Sequence, residues 1–437
     1  MDAVERYGTF RMQHKLIRGL SRKDFTAVVI NTIIGAGVFG LPAAIYAKIG
    51  TYSLLAFVVC AAVIGLFVLC YAEVGGRFDK SGGPYLYARE AFGPFAGFEV
   101  GWLYWIVRVT TIAANTNLFV TYLGTFFPAS DAIRILLVIM IIAFIMIINL
   151  VGVRESTAAT NIMTVGKLVP LVAVVLVGIF FVDRGAFQFG AVPAFNSFSE
   201  SVLLLIYAFV GFESAVIVTG ETKDPQRTIP VGLFSALAIV AILYIGIQIV
   251  AIGTVPDLAS SQRPIADAAA AIAGPIGAVA VTIGALISIL GNLNVGLLAA
   301  TRLLFAMSEQ GDLPQRLRIT SERSHIPSTS IAFTSIVVLI VTLNTSFISA
   351  LAISVVTRLI VYATTCIALP IFRRQEDRPK AGFRAPAAGL VVSLSLIVII
   401  WLLSNADLTK QVIPIALAAL LGAVIFVTYR SVNVRPR

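Results

Sequence analysis

The chain has 437 residues, 58% of them hydrophobic and only 12% charged, with a mean hydropathy of +0.95. That balance excludes an ordinary soluble domain and predicts an all-α polytopic membrane protein. The formal net charge of +10 invites a nucleic-acid partner, but the placement of the basic residues argues for none.

Residues 1–23 are polar and basic, with no apolar core and no small-residue cleavage site. No cleaved signal peptide is expected, and the segment reads as a cytoplasmic tail. A membrane span needs about 20 apolar residues. On that rule twelve transmembrane helices are predicted near 24–48, 51–73, 94–124, 131–150, 160–183, 199–220, 229–253, 275–307, 328–345, 347–372, 385–404 and 411–429. Together they form a single membrane domain over 24–429, followed by a second cytoplasmic tail at 430–437. Polar loops fall near 74–93, 307–327 and 373–384. The loop near 254–274 reads either as a short helix over the outer face or as a flexible connection.

If the N-terminus is inside, the inner segments collect Arg18, Arg22, Lys23, Arg77, Lys80, Arg89, Arg154, Lys223, Arg316, Arg373, Arg374 and Arg384, among others. The outer side receives only Lys48, Arg134, Arg184, Arg263 and Lys410. This asymmetry predicts a multi-pass protein of the cell (inner) membrane with both termini cytoplasmic. Cys60, Cys70 and Cys366 fall inside spans, where they read as small packing residues.

Three tracts interrupt apolar runs. In the first span, Gly35, Gly37 and Gly40 stand within six residues. Gly costs roughly 1 kcal/mol against Ala inside a helix. Unwound backbone within a membrane survives only where protein or a water-filled cavity covers it. The second tract is Lys167, a lone charge in the fifth span. The third, Tyr207 to Glu213, places Gly211 beside an acid in the sixth span. Interruptions in spans one and six are the layout expected of two inverted repeats, over 24–183 and 199–372, with the helices of 385–429 outside them.

Two antiparallel breaks suit a zwitterion. Free N–H groups of Gly35, Ala36, Gly37 and Val38 would sit at the positive end of a helix and face a carboxylate. Carbonyls of Tyr207, Ala208 and Phe209, joined by Ile33 or Ile34, would face an ammonium. The competing reading is that the glycines only let helices approach closely. Tyr207 and Phe209 read equally well as aromatic lids over a substrate or as core.

Other charges lie inside spans. Lys167 needs a partner or a neutral form, since a lysine taken out of water gives up its proton readily. Glu213 would balance Lys167, hold a proton, or pair with Arg108 or Arg358. Structural pairing is the leading reading for both arginines. Glu99 and Arg108, nine residues apart, fall on opposite helix faces. Glu73 closes a gate or caps a loop. Asn292 and Asn294 line a cavity or join helices.

Several stretches taken together carry a resemblance. They are Gly35-Ala36-Gly37-Val38-Phe39, Ser81-Gly82-Gly83-Pro84-Tyr85, Gly101-Trp102, Gly211-Phe212-Glu213, Gly220-Glu221-Thr222-Lys223-Asp224-Pro225, Thr301-Arg302 and Gly311-Asp312-Leu313-Pro314. In this order the chain resembles the amino acid–polyamine–organocation (APC) superfamily of permeases, departing from it at Asp79, where the family often has Pro. The resemblance implies a leucine-transporter-like fold with a 5+5 inverted repeat, helices 1 and 6 broken. It further implies that Lys167 occupies the place of a sodium ion in sodium-coupled relatives, hence proton coupling or sodium independence.

The expected activity is amino acid transport, with Lys167 and Glu213 as coupling residues and a polyamine or organic-cation carrier, or an exchanger, as alternatives. A polyamine carrier would want several cavity acids, and Glu213 with Glu99 are few. A membrane enzyme is disfavoured, because His14 and His325 both lie in polar segments and no metal or nucleophile constellation appears. No catalytic residue, metal, cofactor or obligate partner subunit is evident.

Overall fold

Ser21 starts the first helix through a reciprocal cap: its Oγ accepts from Asp24 N at 3.3 Å while its own N–H donates to Asp24 Oδ2 at 3.0 Å. The computed structural model describes residues 21–78, 83–126, 130–151, 157–215, 225–320, 326–375 and 381–433. Residues 1–20 and 434–437 of the two tails, Asp79, Ser81-Gly82, the 220–224 motif and His325 lie outside the described residues, together with the expectations attached to them.

The described residues are helical and contain no strand. In chain order the helices are α1 (Arg22–Ile33), α2 (Gly37–Ile49), α3 (Ser53–Gly75), α4 (Gly83–Phe92), α5 (Pro94–Leu123), α6 (Asp131–Val151), α7 (Thr157–Gly178) and α8 (Phe195–Phe209). They continue as α9 (Phe212–Ala215), α10 (Pro225–Thr254), α11 (Pro264–Glu309), α12 (Ser328–Asn344), α13 (Phe347–Arg374), α14 (Ala388–Leu403) and α15 (Ile413–Asn433). Among the described residues, seven helical segments are long and apolar enough to cross a membrane, and Gly166–Phe181, Ser328–Asn344 and Ala388–Leu403 are shorter apolar helices. Large apolar side chains also cover the outside: Ile147 is 54% exposed, Ile242 72% and Leu417 61%. Such a surface suits lipid rather than water.

The 264–274 segment resolves one open choice. Pro264 opens α11 with a short helical piece that ends where Ala273 and Gly274 leave helical geometry, ahead of the long piece that follows, and Ile265, Ala266 and Ala269 are buried. Ala266, Ala268 and Ala269 form the packed side of that piece, while Ala271 and Ala273 are exposed.

Helix α5 packs against both α11 and α13, so one long helix borders the centre of the bundle. Helices α1 and α2 come from one apolar run, as do α8 and α9. The chain leaves α1 at Ile34 (φ −70°, ψ 96°) and leaves α8 at Val210 (φ −76°, ψ 166°). Both expected interruptions are therefore present, and α2 packs on α8 while α1 packs on α9.

Candidate functional site

The two breaks touch. A Cβ added to Gly37 would meet the Ala208 Cα at 2.8 Å, so the start of α2 lies directly on the end of α8. Gly211 has φ +115°, a left-handed conformation that favours glycine, and a side chain there would run into the Thr32 carbonyl. Gly35 differs from both: its added Cβ would meet only Asn292 Nδ2 at 3.4 Å and the Ile33 carbonyl at 3.8 Å. The close-packing reading thus holds at Gly37 and Gly211. At Gly35 the glycine keeps space open.

Helix α2 begins at Gly37, and its N-cap residue Ala36 provides no side-chain cap. Phe39 N donates to the Ala36 carbonyl at 3.0 Å, which leaves the N–H groups of Gly37 and Val38 as the orphans of this end, as the last carbonyls are at the end of α8. Lys167 takes up the matching orphans of α1: its Nζ donates to the Asn31 carbonyl at 2.5 Å and to that of Ile34 at 3.0 Å. At 4% exposure it does not snorkel to the surface. The Ile34 carbonyl, expected to face a ligand's ammonium, is occupied by this lysine.

Glu213 is wholly buried and pairs with Arg358, not with Lys167. Tyr362 Oη donates to its Oε2 at 3.0 Å and Gly211 N donates at 2.9 Å. The acid thus holds the left-handed turn of the second break to α13. Arg108 departs from the expected structural pairing. Its Nη2 donates to Tyr104 Oη and Ser214 Oγ, each at 2.5 Å, and no carboxylate lies within salt-bridge distance among the described residues.

A cavity of about 140 Å³ opens at the breaks. Of the expected residues, Gly35, Ala36, Tyr207, Gly211 and Lys167 line it. Ile34, Gly37, Val38, Ala208, Phe209 and Glu213 are buried behind this wall. Phe209 is core, packed at 5.2 Å centroid distance on Tyr244, whereas the Tyr207 hydroxyl donates to Asn115 Oδ1 at 2.6 Å on the wall. The two asparagines of α11 divide between their two readings: Asn292 lines the cavity, and Asn294 Oδ1 accepts from Asn149 Nδ2 at 2.8 Å between helices.

Sequence reasoning missed Thr111, Asn115, Ser214 and Ser288, which also line the cavity. A signal existed. Arg108, Thr111 and Asn115 follow one another by three and four residues, as polar positions on one face of α5 do. Ser288 and Asn292 repeat that spacing on α11.

Away from the cavity, two ion clusters tie the bundle. Glu73 accepts from Arg373 Nε at 2.8 Å, from Arg77 Nη2 at 2.9 Å and from Ala385 N at 2.8 Å, so of its two readings it takes the capping one, on the backbone ahead of α14. Two stretches that carry the resemblance meet in the second cluster: Tyr85 Oη lies 2.9 Å and Arg89 Nη1 2.8 Å from Asp312 Oδ2. Burial, with the Asp312 charge beside it, pushes the Tyr85 hydroxyl well above its ordinary pKa and keeps it a donor.

A multi-pass helical membrane protein with a small polar cavity between two broken helices is the class that fold and site define. Residues 20–427 match the model of the amino acid permease family, and the chain belongs to that family. It is 27% identical over 372 residues to the serine/threonine exchanger SteT of Bacillus subtilis, covering 82% of this chain and 84% of that one. It is 28% identical over 327 residues to the mouse large neutral amino acids transporter small subunit 2, covering 70% of this chain and 61% of the relative. It is also 26% identical over 406 residues to the methylthioribose transporter of Bacillus subtilis, covering 88% of each. These relatives do not share one substrate.

Proposed function

We propose that the chain is a secondary transporter that moves amino acids across the cell membrane by alternating access, binding them at the two breaks. The observation that carries the reading is the juxtaposition in one cavity of Gly35 and Ala36, which lead into the uncapped start of α2, and of Tyr207, Val210 and Gly211 at the end of α8. The first offers N–H donors and a positive helix end to a carboxylate, the second carbonyls to an ammonium. A polyamine or organic-cation substrate is disfavoured, since among the described residues no Asp or Glu lines the cavity while Arg108 and Lys167 do. Exchange and net uptake would use the same site.

Twelve spans with a 5+5 inverted repeat over 24–183 and 199–372 fit the packing. With α1–α2 equivalent to α8–α9, helix α3 packs on α8 as α10 packs on α1. Likewise α5 packs on α13 as α11 packs on α7, and α6 packs on α12 across the pseudo-symmetry. Helices α14 and α15, in 385–429, stand outside the repeat. The distribution of basic residues favours cytoplasmic termini. We assign Lys167 to coupling with protons, sodium not being required, and Glu213 to anchoring the second break. The chain acts without an obligate partner subunit.

Two measurements test the binding site. Blocking either end of a substrate, as the methyl ester or the N-acetyl derivative, removes a charge-assisted contact of about 1.5–3 kcal/mol, so competition should weaken at least about tenfold. Polyamines that compete well, with blocked amino acids matching their parents, would remove the amino acid reading. Gly35→Val should fold normally and lose substrate binding, because its side chain enters the cavity. Gly37→Val should instead lower the yield of folded protein, because its side chain meets the Ala208 backbone. Unchanged affinity in a monodisperse Gly35→Val protein would move the site elsewhere.

A further inference from the structure

The cavity wall is rich in donors and cations. Arg358 is neutralised by Glu213, but Arg108 and Lys167 have no carboxylate within salt-bridge distance among the described residues. Arg108 Nη2 is spent on neutral hydroxyls, and the guanidinium carbon lies 4.8 Å from the Tyr104 ring centroid. Three further polar atoms of the wall are buried with no partner: Arg108 Nε, Asn292 Nδ2 and Ser288 Oγ. A nitrogen of this kind can only donate, and the serine hydroxyl is able to donate.

A zwitterion brings one charge of each sign and leaves the excess positive charge of this wall in place. A ligand with one more carboxylate reduces it, and supplies acceptors to donors that have none. Charge inside a membrane is costly unless paired, and Arg is the residue best shaped for a carboxylate. We infer that the preferred substrate is an amino acid with an acidic side chain, its second carboxylate held by Arg108. This rests on the amino acid transport reading and deepens it. The α-carboxylate stays at the start of α2, where Gly35 and Ala36 face the cavity.

The test is calorimetric titration of the detergent-purified full chain with L-glutamate, its isosteric amide L-glutamine, L-leucine and L-lysine. L-glutamate should bind at least about tenfold more tightly than L-glutamine, as expected for one charge-assisted contact. Arg108→Gln should erase that preference by weakening L-glutamate at least about tenfold more than L-glutamine, the difference between a charge-assisted and a neutral contact. Arg108→Lys, which keeps the charge, should retain part of the preference. Tighter binding of L-glutamine or L-leucine than of L-glutamate by the wild type overturns the inference and leaves amino acid transport standing. So does equal weakening of L-glutamate and L-glutamine in a monodisperse Arg108→Gln protein, which would put the α-carboxylate on Arg108. Binding of none of the four overturns both readings.

Discussion

Arg358→Gln should abolish transport and destabilise the protein more than any other single change at the site. Arg358 and Glu213 have side-chain exposures of 1% and 0%. The carboxylate also accepts from Tyr362 and from the Gly211 N–H. Removing the cation strands a charge that neither water nor lipid can solvate, a loss of about 3–5 kcal/mol for a buried pair. Glu213→Gln strands the guanidinium in the same way and weakens the hold on Gly211. The double variant Arg358→Gln/Glu213→Gln buries no uncompensated charge, so it should melt well above the sum of the two single losses. Transport should stay lost in all three, because the left-handed turn that aims the end of α8 loses its ion pair to α13. Thermal melts of the purified proteins decide the matter. Additive losses in the double variant would show that the two groups do not act as a pair.

The backbone of the site was legible because its signals are local. Gly35 and Gly37 stand out in an apolar run, as does Gly211 beside an acid, and the structure breaks α1–α2 and α8–α9 there. Lys167 was legible as a cost that something must offset. What offsets it was not, since the Asn31 and Ile34 carbonyls lie more than 130 residues away in sequence. The same holds for Glu213, whose several candidate partners only the packing of α13 could separate. Gly35 and Gly37 show the finer limit. They stand two residues apart in one tract, yet one faces a cavity and the other a helix. An unwound backbone has no fixed period, so spacing cannot say which way each residue points. Arg108 failed the pairing expectation for a related reason: a charge in a span is costly by itself, but hydroxyls and a ligand can share in satisfying it.

The proposed coupling makes the last large prediction. Protonated Lys167 holds the end of α1 through two carbonyls, so loss of its proton would weaken the link between α7 and the first break. A transport cycle can use that difference only if proton and substrate each favour one arrangement of the break. Uptake into liposomes should then be driven by an inward proton gradient. It should rise as the outside pH falls, by up to about tenfold per unit for a single titrating group. Replacing sodium by potassium or choline should change nothing. Lys167→Ala removes the titrating group and leaves the Asn31 and Ile34 carbonyls without their donor. Its uptake should fall steeply, and the residual uptake should be flat across the same pH range. Lys167→Arg, which carries a charge that does not titrate, should also be flat, while keeping more folded protein than the alanine variant. The assignment fails if wild-type uptake requires sodium, or if either variant retains the full pH response.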